Sequence, residues 1–133
     1  MAAKKQTLSK PARQKKEELF RATFERAAVG IAHTTTEGAF QQVNSKLREM
    51  LGYTSGELLV LTTRDLTHPD DRDRQDALRL ELLSGRRSFF AVEKRYSRKD
   101  GVFIWVNRTV PQAHHPATGE PYLIQVIEDI SER

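Results

Sequence analysis

The sequence predicts an α+β fold: one five-stranded antiparallel sheet, short helices on one of its faces, and a flanking helix at the N-terminus. Three observations predict it. Apolar residues near the N-terminus recur at helical spacing, and the middle third contains several helix-capping residues. In the last third, apolar and polar residues alternate on both sides of a tight Asp-Gly turn. With 133 residues, 38% of them apolar, the chain has the size of one domain that can bury its own core.

The N-terminal segment carries the net charge of the chain. Residues 1–18 contain six Lys or Arg and two Glu, whereas basic and acidic residues balance over the remaining residues. We therefore expect a basic, flexible tail over residues 1–18 and no nucleic-acid-binding face on the folded body. Pro11 lies near the start of a helical pattern, and apolar spacing predicts an amphipathic helix over residues 19–29 that Gly30 ends.

The middle of the chain is predicted to form a strand pair followed by capped helices. Gly30–Thr34 and Ala39–Val43 flank a short turn and are predicted to pair. Asn44 is a good N-cap for a helix that contains Met50, and Thr54 begins a capping box for the next helix. The sequence then predicts a helical turn at residues 62–66 and a longer helix that begins near residue 69 and ends at residue 85.

The last third predicts three strands, Ser88–Ser97, Val102–Pro111 and Tyr122–Ile130. The Asp100-Gly101 turn predicts that the first two pair as a hairpin. Alternation in the final strand puts one set of side chains on each face of the sheet. The two sets are Leu123, Gln125, Ile127 and Asp129 on one face, and Tyr122, Ile124, Val126 and Glu128 on the other.

Composition excludes several classes of protein. The absence of cysteine removes disulfides, thiolate metal sites and cysteine nucleophiles. No apolar run is long enough to span a membrane or to serve as a signal peptide, so we expect a cytoplasmic protein. Hydrolase, phosphate-loop and zinc-protease motifs are missing, and no catalytic residue is predicted.

The alternative is a small enzyme with Glu93 or Asp129 as general base, although Glu93-Lys94-Arg95 is typical of an exposed charged stretch.

The histidines favour structural roles over metal binding. His33 alternates with Ile31 in the first strand, which could turn it toward the core. His68, Asp70 and Asp71 surround a predicted helix start, where they serve as caps and suit the positive end of the helix dipole. His114 and His115 fall in a loop. No metal site is predicted.

A series of short motifs, in order, resembles the PAS domain of bacterial sensory-box proteins with its C-terminal PAC portion. The resemblance covers about residues 20–133, and we assign residues 30–133 to the PAS/PAC domain. The matching stretches are Phe24–His33, Val43-Asn44, Leu51-Gly52-Tyr53, Glu57-Leu58-Leu59, Leu66–Asp71, Glu93–Tyr96, Arg98–Gly101, Trp105-Val106 and Glu128–Arg133.

The resemblance implies a sensory or regulatory module that binds a small ligand or mediates dimerisation. Such modules relay their state to an output domain, typically a histidine kinase of a two-component system or a diguanylate cyclase. Asp129, Ile130 and Ser131 resemble the junction to a signalling helix, and the chain stops where that helix would begin. We favour an excised module over a stand-alone protein. A ligand-free interaction module is a further alternative.

The resemblance also leads to expectations about the cofactor and the dimer interface. Without cysteine no covalent flavin is expected, and without histidine in residues 72–85 no haem is expected; the ligand, if any, is unknown. Gln125 is the leading candidate for ligand contact, because a buried amide needs a polar partner such as backbone, Trp105, water or ligand. The full set of pocket candidates is His33, Met50, Leu66, Trp105, Leu123, Gln125 and Ile127. A homodimer is expected to bury Leu19, Phe20, Phe24, Tyr122, Ile124 and Val126.

Overall fold

The N-terminal helix is longer than the sequence predicted. The computed structural model describes residues 9–131, and helix α1 spans Lys10–Arg26. The Ser9 side chain caps α1 by accepting a hydrogen bond from the Ala12 N–H, and Pro11 lies in the first turn. Residues 10–18 are thus helical rather than tail, while the expectation for residues 1–8 lies outside the described residues.

The five strands form one antiparallel sheet, which confirms the predicted α+β fold. The strands are β1 (Gly30–Thr34), β2 (Phe40–Val43), β3 (Phe89–Ser97), β4 (Phe103–His114) and β5 (Pro121–Asp129). Their order across the sheet is β2-β1-β5-β4-β3. Every neighbouring pair is antiparallel, and the predicted boundaries differ from the observed ones by at most three residues.

The turn between β3 and β4 has the geometry that its sequence predicts. Gly101 adopts a φ of 86°, a region that glycine enters without a steric penalty. Its N–H donates to the Arg98 carbonyl at 2.9 Å, and Ser97 pairs with Phe103 directly beyond the turn. The hairpin register follows from this turn, and it determines which residues of β3 and β4 share a face.

Short helices lie between β2 and β3. They are α2 (Ser45–Leu51), α3 (Ser55–Leu58), α4 (Thr63–Leu66), a 3-10 turn at Pro69–Asp71, and α5 (Arg72–Leu83). Asn44 caps α2, and complete capping boxes begin α3 at Thr54 and α4 at Thr62. No helix of residues 9–131 is long and apolar enough to cross a membrane.

Helix α2 packs closely against β1. A Cβ on Gly30 would lie 3.1 Å from Leu47 Cδ1 and 3.2 Å from the Ile127 carbonyl oxygen, so a side chain here would force its neighbours to shift by a few tenths of an ångström. Gly30 is the first residue of β1 rather than the residue that ends α1, because α1 already ends at Arg26.

The core between sheet and helices consists of two apolar clusters with a polar row between them. Tyr96, Val106 and Ile127 belong to the larger cluster, whereas Val92, Val110 and Leu123 belong to the smaller one. On each of the last three strands the inward-facing residue between the two clusters is polar: Lys94 on β3, Arg108 on β4 and Gln125 on β5. This row positions the candidate site.

Candidate functional site

The polar row belongs to a larger set of buried hydrogen-bonding side chains, which we term the buried polar cluster. Lys94 and Arg108 are only 1% and 0% exposed, although residues with a charged end are rarely buried without an ionic partner. Strand alternation directs both inward. Strands β1 and β5 supply Thr34 and Gln125, whereas α5 supplies Gln75 and the C-cap of α4 supplies Thr67. The buried polar cluster comprises Thr34, Thr67, Gln75, Lys94, Arg108 and Gln125.

Gln75 of α5 connects the two cationic side chains. Its Oε1 accepts hydrogen bonds from Lys94 Nζ and, at 2.7 Å, from Arg108 Nη1. Lys94 Nζ also donates to Thr67 Oγ1 at 2.9 Å, and that hydroxyl donates to the Thr63 carbonyl at 2.7 Å. A single neutral amide oxygen therefore lies between two positively charged groups.

The cluster continues across the sheet toward β1. Arg108 Nε donates to Gln125 Oε1, and Gln125 Nε2 donates to Thr34 Oγ1 at 3.1 Å. Thr34 Oγ1 in turn donates to the Thr35 carbonyl at 3.0 Å. Through these bonds one continuous network links α4, α5, β3, β4, β5 and β1.

The electrostatics of the cluster are unusual because its acceptors are neutral. Burial lowers the pKa of Lys94 well below its ordinary value, and the nearby Arg108 lowers it further. Burial also lowers the pKa of Arg108. Aromatic faces give partial compensation, since Lys94 Nζ lies 4.5 Å from the Tyr96 ring centroid and the Arg108 guanidinium 5.4 Å from that of Phe90.

Two donors beside the cluster lack a partner among the described residues. These are Arg108 Nη2 and the Tyr96 hydroxyl, and both are fully buried. Burial raises the pKa of Tyr96, so its hydroxyl keeps its proton at neutral pH and remains a donor. An unpaired buried donor is costly, so these two groups mark a place where a further acceptor would bind favourably.

Most of the predicted pocket residues face the interior. Leu123, Gln125 and Ile127 lie on the inner face of β5, and Met50 and Leu66 are buried in the larger apolar cluster. The partners of the Gln125 amide are Arg108 and Thr34. Asp129, placed on the same face by alternation, is exposed beyond the end of the core.

Two predicted pocket residues, His33 and Trp105, lie on the outer face of the sheet. The inward-facing residues of β1 are Ala32 and Thr34, so His33 instead contacts the Phe24 ring at 5.4 Å. Trp105 is 46% exposed, and its ring lies 5.1 Å from the Arg95 guanidinium. The predictions were wrong here because alternation defines two faces without stating which one is covered.

Sequence reasoning missed the two residues that dominate the site. Lys94 was interpreted as part of an exposed charged stretch, and Arg108 was not singled out. Both occupy the even-numbered positions that also hold Phe90, Val92 and Tyr96 on β3 and the inward residues of β4. A charged residue in the middle of an apolar alternation was the pattern that could have identified them.

The residues around the start of α5 serve the fold. His68 Nδ1 accepts a hydrogen bond from the Asp70 N–H at 3.1 Å. Asp71 accepts from Arg95 Nε, Nη2 and backbone N–H at 3.1, 3.0 and 2.9 Å, and this pairing lowers the pKa of Asp71. Over residues 9–131 no group of three or more His, Cys, Asp or Glu is arranged to hold a metal ion.

The predicted junction residues form a turn attached to β4. The Ile130 N–H donates to the Trp105 carbonyl at 3.0 Å, and Ser131 Oγ accepts from the Trp105 N–H at 3.2 Å. Asp129 Oδ1 accepts from the Ser131 N–H at 2.9 Å. We term residues 129–131 the exit turn; the last two residues of the predicted motif, Glu132 and Arg133, lie outside the described residues.

The comparisons with known proteins decide the family. A sequence model of the PAS fold matches residues 40–127, which is more than half of the chain. The chain belongs to the PAS family. The PAS fold is a sensory fold and is generally non-catalytic.

Relatives of this PAS domain are regions of bacterial signalling proteins. It is 36% identical over 113 residues to the probable diguanylate cyclase DgcE of Escherichia coli strain K12, covering 85% of this chain and 10% of the relative. It is 33% identical over 115 residues to the sensor histidine kinase TmoS of Ectopseudomonas mendocina, covering 86% of this chain and 12% of the relative. The chain thus spans about a tenth of these proteins.

Solved structures share the fold of this PAS domain. A PAS domain of a Colwellia psychrerythraea protein superposes with a TM-score of 0.78 at 16% identity, covering 88% of this chain and 98% of that one. The PAS domain of an HTR-like protein from Haloarcula marismortui gives a TM-score of 0.72 at 22% identity, covering 89% and 94%. These structural matches show the fold. The sequence relatives make the chain homologous to the PAS regions of sensor histidine kinases and diguanylate cyclases, consistent with a sensory module.

Proposed function

We propose that this PAS domain is the ligand-sensing module of a longer signalling protein and that it relays occupancy of the buried polar cluster to an output domain through the exit turn. The observation that carries the proposal is the path along β5. Gln125 belongs to the cluster, and the exit turn begins four residues later on the same strand. A rearrangement of the cluster would therefore act on the junction through a short, rigid segment.

The attachment of the exit turn to β4 supports the same mechanism. Arg108 reaches the cluster from β4, and Trp105 of that strand binds Ser131 and Ile130. A shift of β4 relative to β5 would change these contacts and the direction in which the chain leaves the sheet. Two states of this turn would supply the bistable element that a relay requires.

The proposal assigns no catalytic residue to the module itself. The two carboxylates considered above as general bases, Glu93 and Asp129, are exposed and lie outside the buried polar cluster. The proposal places the module in the cytoplasm, and a chain without cysteine is compatible with that reducing compartment.

The relay is tested in a chimera in which residues 1–133 replace the matching PAS region of the sensor histidine kinase TmoS. Autophosphorylation of the chimera is compared with that of its Ser131→Ala and Ser88→Ala variants. Ser131→Ala removes the side-chain contact with Trp105 and should change the autophosphorylation rate at least about threefold, whereas the exposed Ser88 should not affect it. Equal rates in all three folded chimeras would refute the relay through the exit turn.

Dimerisation is a second part of the proposed function, supported by exposed apolar residues on α1. Leu19 and Phe20 are 69% and 59% exposed, which is unusual for large apolar side chains placed close together. Phe24 is buried within its own domain, so it stabilises the attachment of α1 rather than a contact with a second copy. We propose that Leu19 and Phe20, together with the half-buried Tyr122, Ile124 and Val126, contact a second copy of the chain.

A further inference from the structure

The buried polar cluster has an excess of positive charge and of hydrogen-bond donors. Lys94 and Arg108 bind only amide, hydroxyl and aromatic groups among the described residues. A third cation, Arg79, adds to the positive potential at Arg108. The carboxylates that act on Lys94, Asp71 and Asp76, do so without a direct hydrogen bond, and Arg74 opposes them. Isolated buried charges are strongly disfavoured, so an anion in this place would be stabilising.

The cluster and the adjoining Tyr96 contain donors that have no partner among the described residues. Arg108 Nη2 and the Tyr96 hydroxyl are unpartnered, and these two side chains interact electrostatically with each other. In its protonated form Lys94 Nζ has three N–H donors but two hydrogen-bond partners, Thr67 and Gln75. The cluster therefore offers one guanidinium N–H₂ group, one hydroxyl and one ammonium N–H.

We propose that the buried polar cluster binds a small carboxylate, and that this anion is the ligand that the domain senses; the inference rests on the proposed sensory function. One carboxylate group has two oxygens and about four lone-pair positions, which match these free donors. The planar guanidinium of Arg108 favours a planar carboxylate over a spherical halide. Charge-assisted bonds to Arg108 and Lys94 would supply most of the affinity.

The surroundings of the cluster indicate a short apolar chain on the carboxylate. Val92 lies opposite Arg108 in the β3–β4 register, and Val106 lies opposite Lys94. Phe90 and Leu82 are buried on the same side. A ligand with a few carbon atoms would place its carboxylate among the donors and its methyl or methylene groups against these residues.

The cluster is closed to solvent, so binding there would have a structural consequence. Gln75 is 2% exposed and joins α5 to the two cations. A carboxylate would compete with the Gln75 oxygen for Lys94 and Arg108 and would release α5 from the sheet. Occupancy would thereby alter the strands that carry the exit turn.

The test uses the full chain and the sodium salts of formate, acetate, propionate and butyrate. Thermal unfolding and isothermal titration calorimetry are recorded for each salt, with sodium chloride and sodium sulfate at equal ionic strength as reference. At least one of the four carboxylates should raise the Tm by roughly 2 °C or more at millimolar concentration relative to both references. The assignment would be overturned if chloride or sulfate raised the Tm as much as the carboxylates do, or if none of the four carboxylates raised it.

Tyr96→Phe is the most informative variant because the Tyr96 hydroxyl has no partner in the described structure. The substitution should leave the Tm of the unliganded protein unchanged or higher and should weaken carboxylate binding about fivefold or more. Tyr53→Phe is the matched control, since Tyr53 packs against the larger apolar cluster and forms no hydrogen bond with Lys94 or Arg108 among the described residues. Arg108→Lys keeps the charge but removes Nη2, and it should weaken binding about tenfold.

Unchanged affinity in both Tyr96→Phe and Arg108→Lys would refute the site even if a carboxylate bound elsewhere. These outcomes are separate from the relay. If Ser131→Ala changed autophosphorylation of the chimera but no carboxylate bound the cluster, the relay would be supported and only the ligand assignment would be refuted.

Discussion

Asn44 holds the end of α1 in place through the Phe24 carbonyl, although the two residues are 20 positions apart. Asn44 Nδ2 donates to this carbonyl at 2.9 Å and to the Val29 carbonyl at 3.0 Å. Its Oδ1 accepts from the Leu47 and Ile31 N–H groups at 3.1 and 2.9 Å. One buried amide thus caps α2 and also joins α1 and β1 to it.

Asn44→Ala should therefore destabilise the domain more than the loss of an ordinary cap. Four hydrogen bonds of a fully buried side chain disappear, two of them buried and two partly buried, and the expected decrease in the free energy of unfolding is about 2–4 kcal/mol. Thr54→Ala, which removes only the cap of α3, should lower it by about 1 kcal/mol. Urea unfolding monitored by circular dichroism measures both values, and similar losses in the two variants would contradict the tertiary role of Asn44.

Asp71→Asn should weaken the link between the start of α5 and β3. Asp71 forms two side-chain hydrogen bonds and one backbone hydrogen bond with Arg95, so its substitution should lower the Tm by roughly 2–6 °C at pH 7. Asp70→Asn is the control, because Asp70 is 76% exposed and lies 4.0 Å from Arg95. A Tm loss in Asp70→Asn as large as in Asp71→Asn would contradict the assignment.

The Asp71 contribution also depends on pH. Pairing with Arg95 lowers the pKa of Asp71 below its ordinary value of 3.8, so the carboxylate stabilises the folded state above that value. The stabilisation is lost as the pH falls through the lowered pKa. The Tm difference between wild type and Asp71→Asn should accordingly be constant from pH 5 to pH 7 and should shrink below about pH 4.

Lys94→Met should stabilise the unliganded protein near neutral pH. The variant removes a buried cation that has no anionic partner in direct contact, and it should raise the free energy of unfolding by about 1–3 kcal/mol. A clear loss of stability would show that the ammonium is needed by the fold itself. Lys46→Met, an exposed substitution on α2, should change the free energy of unfolding by less than about 0.5 kcal/mol.

The difference in the free energy of unfolding between Lys94→Met and wild type should shrink as the pH rises. The folded-state pKa of Lys94 is lowered from 10.5, mainly by burial and then by Arg108, despite the opposing effect of Asp71 and Asp76. Between the lowered pKa and 10.5 the unfolded state binds more protons, so wild-type stability rises with pH over that window. Denaturant titrations from pH 7 to pH 10 on wild type and Lys94→Met measure this slope, and a constant difference would contradict it.

Phe20→Glu should dissociate the proposed homodimer. The substitution places a charge on the exposed apolar surface of α1, while the fold of the monomer should remain intact because Phe20 is outside the core. Leu80→Glu is the matched control, since Leu80 is a similarly exposed apolar residue on α5. Sedimentation velocity at high micromolar concentration should show a dimer for wild type and Leu80→Glu and a monomer for Phe20→Glu. A monomeric wild type would refute the dimer.

Local chemistry made most of the elements predictable from the sequence. The Asp100-Gly101 turn specifies the β3–β4 hairpin, and the caps at Asn44 and Thr54 mark the starts of α2 and α3 because each side chain acts within three residues. The start of α1 was placed too late. Its cap at Ser9 precedes a lysine-rich segment whose composition is typical of a solvated tail, although lysine and arginine are good helix formers.

The sequence by itself determined the order of the elements, the antiparallel hairpin, the family and the two alternating faces of β5. Only the tertiary structure decided which faces of β1, β3 and β4 are covered, and so it placed Lys94 and Arg108 inside and His33 and Trp105 outside. The reason is the range of the interactions. Caps and turns act between near neighbours, whereas Gln75 binds Arg108 across 33 positions and Gln125 binds Thr34 across 91. Such contacts depend on how the sheet and the helices pack, which alternation along one strand does not encode.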